Sequence, residues 1–219
     1  MVKKKILIVE GNTREENSEF TAVGINTHTE SLIESINFYE KDLDISIANP
    51  SSDNNLKNSI ESLDKYDGMI WGGSSLNIYN DTDEIRRQIS FMRECQLKIK
   101  KIFAICWGLQ VAVTVAGGQV KKSDKGAHRG IAHNIKVNNI GSNHKIYLNK
   151  KRQFNSPAFN FDEVVKIPEG AILLSSNELN NVMGLNFKTN TSDIWGIQYH
   201  PEITLSLIHI SEPTRLRSI

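Results

Sequence analysis

Residues 101–118 read Lys101-Ile102-Phe103-Ala104-Ile105-Cys106-Trp107-Gly108-Leu109-Gln110-Val111-Ala112-Val113-Thr114-Val115-Ala116-Gly117-Gly118. Lys101–Ile105 is a short apolar run of the kind that forms a strand buried on both faces of a parallel sheet. Trp107–Ala116 is apolar almost throughout and closes on paired glycines, which predicts a helix with a glycine stop. Only Cys106 separates the two, so the chain must turn from strand to helix at the cysteine. Ala104 and Gly108 lie two residues to either side, where a sharp turn needs little bulk. Such a turn lifts the sulfur clear of the sheet edge, as the nucleophile elbow of α/β-hydrolases lifts its serine. Taken alone, Cys106 fits a buried structural cysteine as well.

The flanking sequence repeats the alternation. Lys5–Val9, Leu43–Ala48 and Gly68–Trp71 read as further buried strands. Between them, Thr29–Tyr39, Leu56–Leu63 and Asp83–Leu97 carry apolar residues at helical spacing, the last after a cap at Asp81 or Thr82. This strand–helix order predicts an α/β fold: a three-layer, doubly wound, mostly parallel sheet. After Gly118 the pattern changes to shorter strand-like pieces at Asn134–Val137, Lys145–Leu148, Ala171–Ser175, Asn181–Phe187 and Ile194–Gln198. These predict a small antiparallel extension of the same domain. Residues 11–29 are long for a strand-to-helix connection, and read either as a cover for the site or as a mobile insertion.

Composition bounds the function classes. Charge is nearly balanced, with 26 Lys+Arg against 25 Asp+Glu, so no polybasic footprint for nucleic acid or an anionic membrane is present. No apolar run approaches the ~20 residues of a membrane-spanning helix. Only Ile6–Val9 separates the basic start from Glu10, too short for the apolar core of a signal peptide. Two cysteines, Cys95 and Cys106, do not make a disulfide scaffold, and the expected compartment is the reducing cytoplasm. Cys95, on a predicted amphipathic helix, reads as packing. No G-x-x-x-x-G-K phosphate loop occurs, and no cofactor is expected. His128 and His133, five apart with no third ligand, are weak for zinc, and no metal site is expected.

Two further strand ends carry chemistry. Gln198-Tyr199-His200-Pro201-Glu202 follows the last predicted strand, and Glu202 can reach back to one imidazole nitrogen, leaving the other to face a thiol. Trp71-Gly72-Gly73-Ser74 follows the third strand, where glycines let backbone N–H groups approach a ligand. With the amide of Trp107 they could form an oxyanion hole. Alone, each has an ordinary reading, a surface or core histidine and a glycine turn.

Together the three segments resemble the class I, triad-type glutamine amidotransferases, closest to stand-alone glutaminase domains of the GMP-synthetase type. The G-x-C-x-G-x-Q elbow of that family is matched by Ala104–Gln110, its Gly-Gly-Pro loop by Gly72-Gly73-Ser74, and its Y-H-P-E by Tyr199–Glu202. Asn160-Phe161-Asp162-Glu163-Val164 echoes its H-x-D-E-V segment. The resemblance covers roughly residues 4–204 and implies a flavodoxin-like fold and a glutaminase reaction. Cys106 would be the nucleophile, His200 the proton carrier and Glu202 its orienter. Gly73 and Trp107 would be oxyanion donors, with Gly72 and Gln110 holding substrate. His128-Arg129-Gly130 resembles a segment that follows the elbow helix in carbamoyl-phosphate synthetase small subunits, and reads as a substrate-side or a plain surface loop.

Three departures stand out: Ala104 for the first elbow glycine, Ser74 for the loop proline and Asn160 for a histidine outside the triad. None removes a catalytic atom. The implied substrate is glutamine or a γ-glutamyl compound, with ammonia passing to a separate synthetase subunit. The alternatives are a free-standing γ-glutamyl hydrolase and a non-catalytic regulatory module on the same fold. Residues 1–204 read as the amidotransferase-like domain. Residues 205–219 contain no Asn and no Lys, place Pro213 where relatives continue as a helix, and read as a non-native tail.

Overall fold

The computed structural model describes residues 3–53 and 56–203. In chain order its elements are β1 (Lys4–Val9), α1 (Arg14–Ala22), α2 (His28–Tyr39), β2 (Leu43–Ala48), α3 (Lys57–Glu61), β3 (Gly68–Trp71), α4 (Asp83–Lys98), β4 (Lys101–Ile105), α5 (Trp107–Val115), β5 (Gln119–Lys122), β6 (His128–Val137), β7 (Gln153–Asn160), β8 (Asp162–Lys166), β9 (Ile172–Ser176), β10 (Gly184–Lys188) and β11 (Asp193–Ile197). Nine strands form one sheet in the order β2-β1-β3-β4-β11-β10-β9-β6-β7, and β5 pairs with β8 separately. The pairs β2–β1, β1–β3, β3–β4 and β4–β11 are parallel, and every pairing beyond β11 is antiparallel. The fold is thus a parallel core with an antiparallel extension.

The unbroken apolar strands are explained by two cores, one on each face of the sheet. Leu7, Val9, Met69, Trp71, Ile102, Ala104 and Ile194 face one, packed with α4 and α5. Ile8, Ile105 and Ile197 face the other, with Leu32 of α2. Successive side chains point to opposite faces, so a strand covered on both sides must be apolar at every position. The chain places β2 on one side of β1 and β3 on the other, which makes the β1/β3 edge a switch point where strand ends open a crevice.

Two expectations are corrected. Lys145–Leu148 is not a strand: Lys145–Tyr147 is a single 3-10 turn, because Tyr147 folds inward to Ser175 at 2.6 Å, and Leu148 N–H donates to Lys145. Residues 11–29 are not an open loop. They contain α1, capped by Thr13 and Glu16 in reciprocal hydrogen bonds, and lead through a second capping box, Thr27 and Glu30, into α2. No residue of α1 is buried, which removes the apolar periodicity that would have marked it. Among the described residues no helix is long and apolar enough to cross a membrane. The expectation for 205–219 lies outside the described residues.

Candidate active site

Cys106 joins β4 to α5 with φ 50° and ψ −101°, a left-handed conformation costly for any residue with a Cβ. Its backbone N–H donates to Ile197 of the neighbouring β11 at 2.7 Å, and α5 begins at the next residue. Gly108 follows because nothing larger fits: a Cβ there would collide with the Trp71 carbonyl oxygen. Its N–H donates to Gly72 at 3.1 Å, fastening the start of α5 to the glycine loop after β3. Ala104 lies within β4, fully buried, so the departure from the family's first elbow glycine falls in the strand and not at the turn.

β11 delivers the other groups. Gln198 donates through Nε2 to Cys106 Sγ at 3.3 Å, and its Oε1 accepts from Gln110 Nε2 at 3.4 Å. Gln110 is therefore turned into the interior beneath the cysteine. His200 is held by its own N–H, which donates to Pro157 at 2.8 Å, and by Nδ1–H, which donates to Glu202 Oε1 at 2.7 Å. Cys106, His200 and Glu202 are 3%, 1% and 4% exposed, so this chemistry is screened from water. Burial alone would depress the His200 pKa, but Glu202 and then Cys106 outweigh it and raise it to about 10. Burial opposes ionisation of Glu202, yet the adjacent imidazolium holds its carboxyl below the usual range. Its second oxygen, Oε2, is buried without a partner among the described residues.

The glycine loop is packed from below. A Cβ on Gly11 would lie 2.6 Å from the Gly73 oxygen and 2.8 Å from the Trp107 ring. Gln88 ties these pieces together, accepting from Trp107 Nε1 at 2.7 Å and donating to the Gly11 carbonyl at 2.9 Å. Ser74, in the family's proline position, accepts from Leu76 N–H at 3.2 Å, and Ser75 N–H donates to Asn12 at 3.2 Å. Side-chain bonds thus supply the stiffness that a proline ring would otherwise provide. The N–H groups of Gly73 and Trp107 make no hydrogen bond among the described residues.

Gly73→Ala follows directly. The added Cβ would lie 2.6 Å from His200 Cε1, and His200 cannot yield while anchored at both ends. We expect kcat to fall by roughly 10²–10⁴-fold, the scale of losing acid–base help from a displaced imidazole. The unfolding midpoint, measured alongside, should fall by only a few degrees, the scale of overpacking one buried contact, and full turnover would show that this loop is not critical.

His28 had no evident partner in the sequence. The structure stacks it on His200, with ring centroids 5.2 Å apart and 21° between planes. Burial first, and His200 second, pull its pKa down to about 4, so it is neutral beside the imidazolium. His28, His200 and Glu202 place possible ligand atoms within 4.8 Å of one another. Glu202 Oε1 already accepts from His200 Nδ1–H, which leaves neither of those two atoms free for an ion, so the group suits proton handling better. The His128-Arg129-Gly130 segment is not a loop: it opens strand β6, where His128 is buried with its Nδ1 against Asn160 at 3.1 Å and its Nε2 against Asn177 at 2.9 Å. Cys95 is buried in α4, with its thiol pKa pushed up by burial.

Over residues 25–211 the sequence matches the family described as glutamine amidotransferase class-I. The chain belongs to the class-I glutamine amidotransferase family. Its general activity is therefore that of a glutamine amidotransferase, an enzyme that hydrolyses an amide. A similar protein is the gamma-glutamyl-L-1-hydroxyisopropylamide hydrolase of a Pseudomonas species, 31% identical over 93% of this chain and 69% of the relative. Another belongs to the glutamine-hydrolysing GMP synthase of Sulfolobus acidocaldarius, one of whose subunits is 28% identical over 66% of this chain and 72% of its own length. Among solved structures, a glutamine amidotransferase of Thermotoga maritima superposes with a TM-score of 0.71, covering 98% of this chain and 83% of the other. At 15% identity that likeness speaks for the fold alone. Five residues of the site had no role legible in the sequence: Gly11, Asn12, His28, Gln88 and Gln198. Only Gln198, inside the amidotransferase Y-H-P-E neighbourhood, carried a signal that could have been followed.

Proposed function

We propose that this amidotransferase cleaves a γ-glutamyl side-chain amide through Cys106, His200 and Glu202. The observation that carries the reading is a left-handed cysteine at one strand end, beside a buried histidine–glutamate pair at the next. The Cys106 sulfur attacks the amide carbon while His200, already an imidazolium, holds the proton. The oxyanion is received by the N–H groups of Gly73 and Trp107. The C–N bond then breaks, His200 returns the proton to the leaving nitrogen, and a γ-glutamyl thioester remains on Cys106. Water attacks the thioester, giving its proton to His200. The C–S bond breaks, glutamate leaves, and His200 keeps the proton, as it did at the start. Glu202 orients the imidazole and balances its charge throughout. Gly72, bonded through its N–H to Val9 and through its carbonyl to Gly108, holds the loop that presents Gly73, and Gln110 supports Cys106 from below through Gln198.

For glutamine the leaving group is ammonia, which a separate synthetase subunit would receive, as the likeness to one component of a GMP synthase suggests. A free-standing γ-glutamyl amide hydrolase is the second reading. It is favoured by the Pseudomonas hydrolase, whose similarity runs over 93% of the chain against 66% for the GMP synthase component.

Acid quenching during turnover tests the shared mechanism. Mass spectrometry should find one γ-glutamyl group on the peptide containing Cys106, and hydroxylamine should divert it to the γ-glutamyl hydroxamate. Steady turnover with neither adduct nor hydroxamate would rule the thioester out.

A further inference from the structure

A cavity of about 260 Å³ opens beside His200, and its walls differ in kind from the rest of the site. Phe20 and Ile25 come from the α1–α2 segment, Phe159 from β7 and Ile203 from beyond the histidine. The remaining lining is neutral: the Asn26 amide, serine hydroxyls and the uncharged His28. The one charged group at its edge, His200, is already balanced by Glu202 at 2.7 Å. Among the described residues no lysine or arginine lines it.

The two halves of a γ-glutamyl amide place opposite demands on a binding site. The glutamyl half ends in an ammonium and a carboxylate, which are costly to bury without charged or hydrogen-bonding partners. The other half is whatever substituent the leaving nitrogen carries. His200, as proton donor to that nitrogen, must lie on the leaving side, and the apolar cavity borders His200. Ammonia, the leaving group of glutamine, would leave this apolar wall with nothing to cover. An amino acid as leaving group would bring a carboxylate into a space with no free cation among the described residues.

Building on the amide-cleavage reading above, we infer that this cavity is a leaving-group pocket selecting γ-glutamyl amides whose nitrogen bears a small, uncharged, mostly apolar substituent. The size agrees, because 260 Å³ lies below the ~300–1,000 Å³ of clefts that enclose drug-sized ligands. Phe20 and Ile25 set the specificity, and this gives the α1–α2 segment its purpose as a wall of the pocket. The step balances as before: the C–N bond breaks, His200 supplies the proton, and a neutral alkylamine leaves.

The test is kcat/KM of the full chain for γ-glutamyl-n-propylamide, glutamine and γ-glutamylglycine. The propylamide should exceed both others by about tenfold or more, since one methylene in an apolar pocket discriminates by about 10–200-fold. Phe20 sits on a helix with no buried residue, so its replacement should spare the fold. Phe20→Ala should lower the propylamide-to-glutamine ratio several-fold. Phe20→Glu should turn preference toward γ-glutamyl-4-aminobutylamide, whose ammonium the new carboxylate would meet. A preference for glutamine, equal use of γ-glutamylglycine, or ratios unmoved by either variant would overturn the pocket assignment while leaving amide cleavage intact. No glutamate from any of the three substrates would instead overturn the underlying reading.

Discussion

Cys106→Ala should lower kcat by at least about 10⁴-fold, the scale of deleting a nucleophile from a catalytic triad. Labelling by a glutamine-like diazoketone should disappear with it. The same position also makes a prediction about stability. With φ 50° and ψ −101°, the backbone at Cys106 occupies a region where a Cβ is strained by about 1–3 kcal/mol and glycine is not. Cys106→Gly should therefore unfold about 2–4 °C above Cys106→Ala, for a difference near 1 kcal/mol in a chain of this size. In ordinary helix or strand positions the order is reversed, glycine being the worse by about 0.5–1 kcal/mol. The comparison cancels the lost thiol, which both variants share, and reads the backbone alone. Paired thermal melts and steady-state assays would check both parts. If the alanine variant proved the more stable, the elbow would not be strained. If it retained full turnover, Cys106 would not be the nucleophile.

That strain also explains which parts of the molecule could be seen in the sequence. The elbow was legible because an apolar strand, a cysteine and an apolar helix leave no room for a gradual turn, and Gly108 marks the closest approach. The parallel core was legible because burial on two faces forces continuous apolar runs such as Ile6–Val9. The antiparallel extension was less so. In β7, Gln153–Asn160, buried and exposed residues alternate and Pro157 interrupts the run, so the strand is specified by pairing with β6 and not by its own composition. β5 and β8 had no signal of their own, being short and mixed in polarity. Within the site, Cys106, His200 and Glu202 were readable because two of them are near neighbours in sequence and the third sits at a turn. His28 and Gln88 were not. Their positions depend on where α2 and α4 pack against strand ends, and neither spacing nor residue type foretells a stack on His200 or a bridge from Trp107 to Gly11.

Glu202→Gln should lower kcat by about 10²–10⁴-fold while leaving Cys106 in place. A glutamine can occupy the same space, but it no longer carries the charge that favours the imidazolium, and its amide can present N–H to Nδ1 and select the wrong tautomer. The pH dependence of stability separates this role from a merely structural one. His200 has a folded-state pKa of about 10, above its ordinary value, so its contribution is fully present below about pH 6.5 and is lost as pH rises through 10. Glu202 is shifted down, so its contribution is present above its ordinary value, 4.5, and is lost as pH falls below it. The pair is therefore worth most between those two ordinary values, weakens through the neutral and alkaline range, and vanishes above about pH 10. In the variant, burial of His200 is opposed chiefly by Cys106, and the neutral ring prevails over more of this range. Unfolding midpoints measured from pH 5 to 11 should thus differ most between parent and variant near pH 5–6.5 and approach one another at the alkaline end. A gap of constant size across that range would mean that Glu202 acts by shape alone, and that its charge pairing with His200 is not what holds the base.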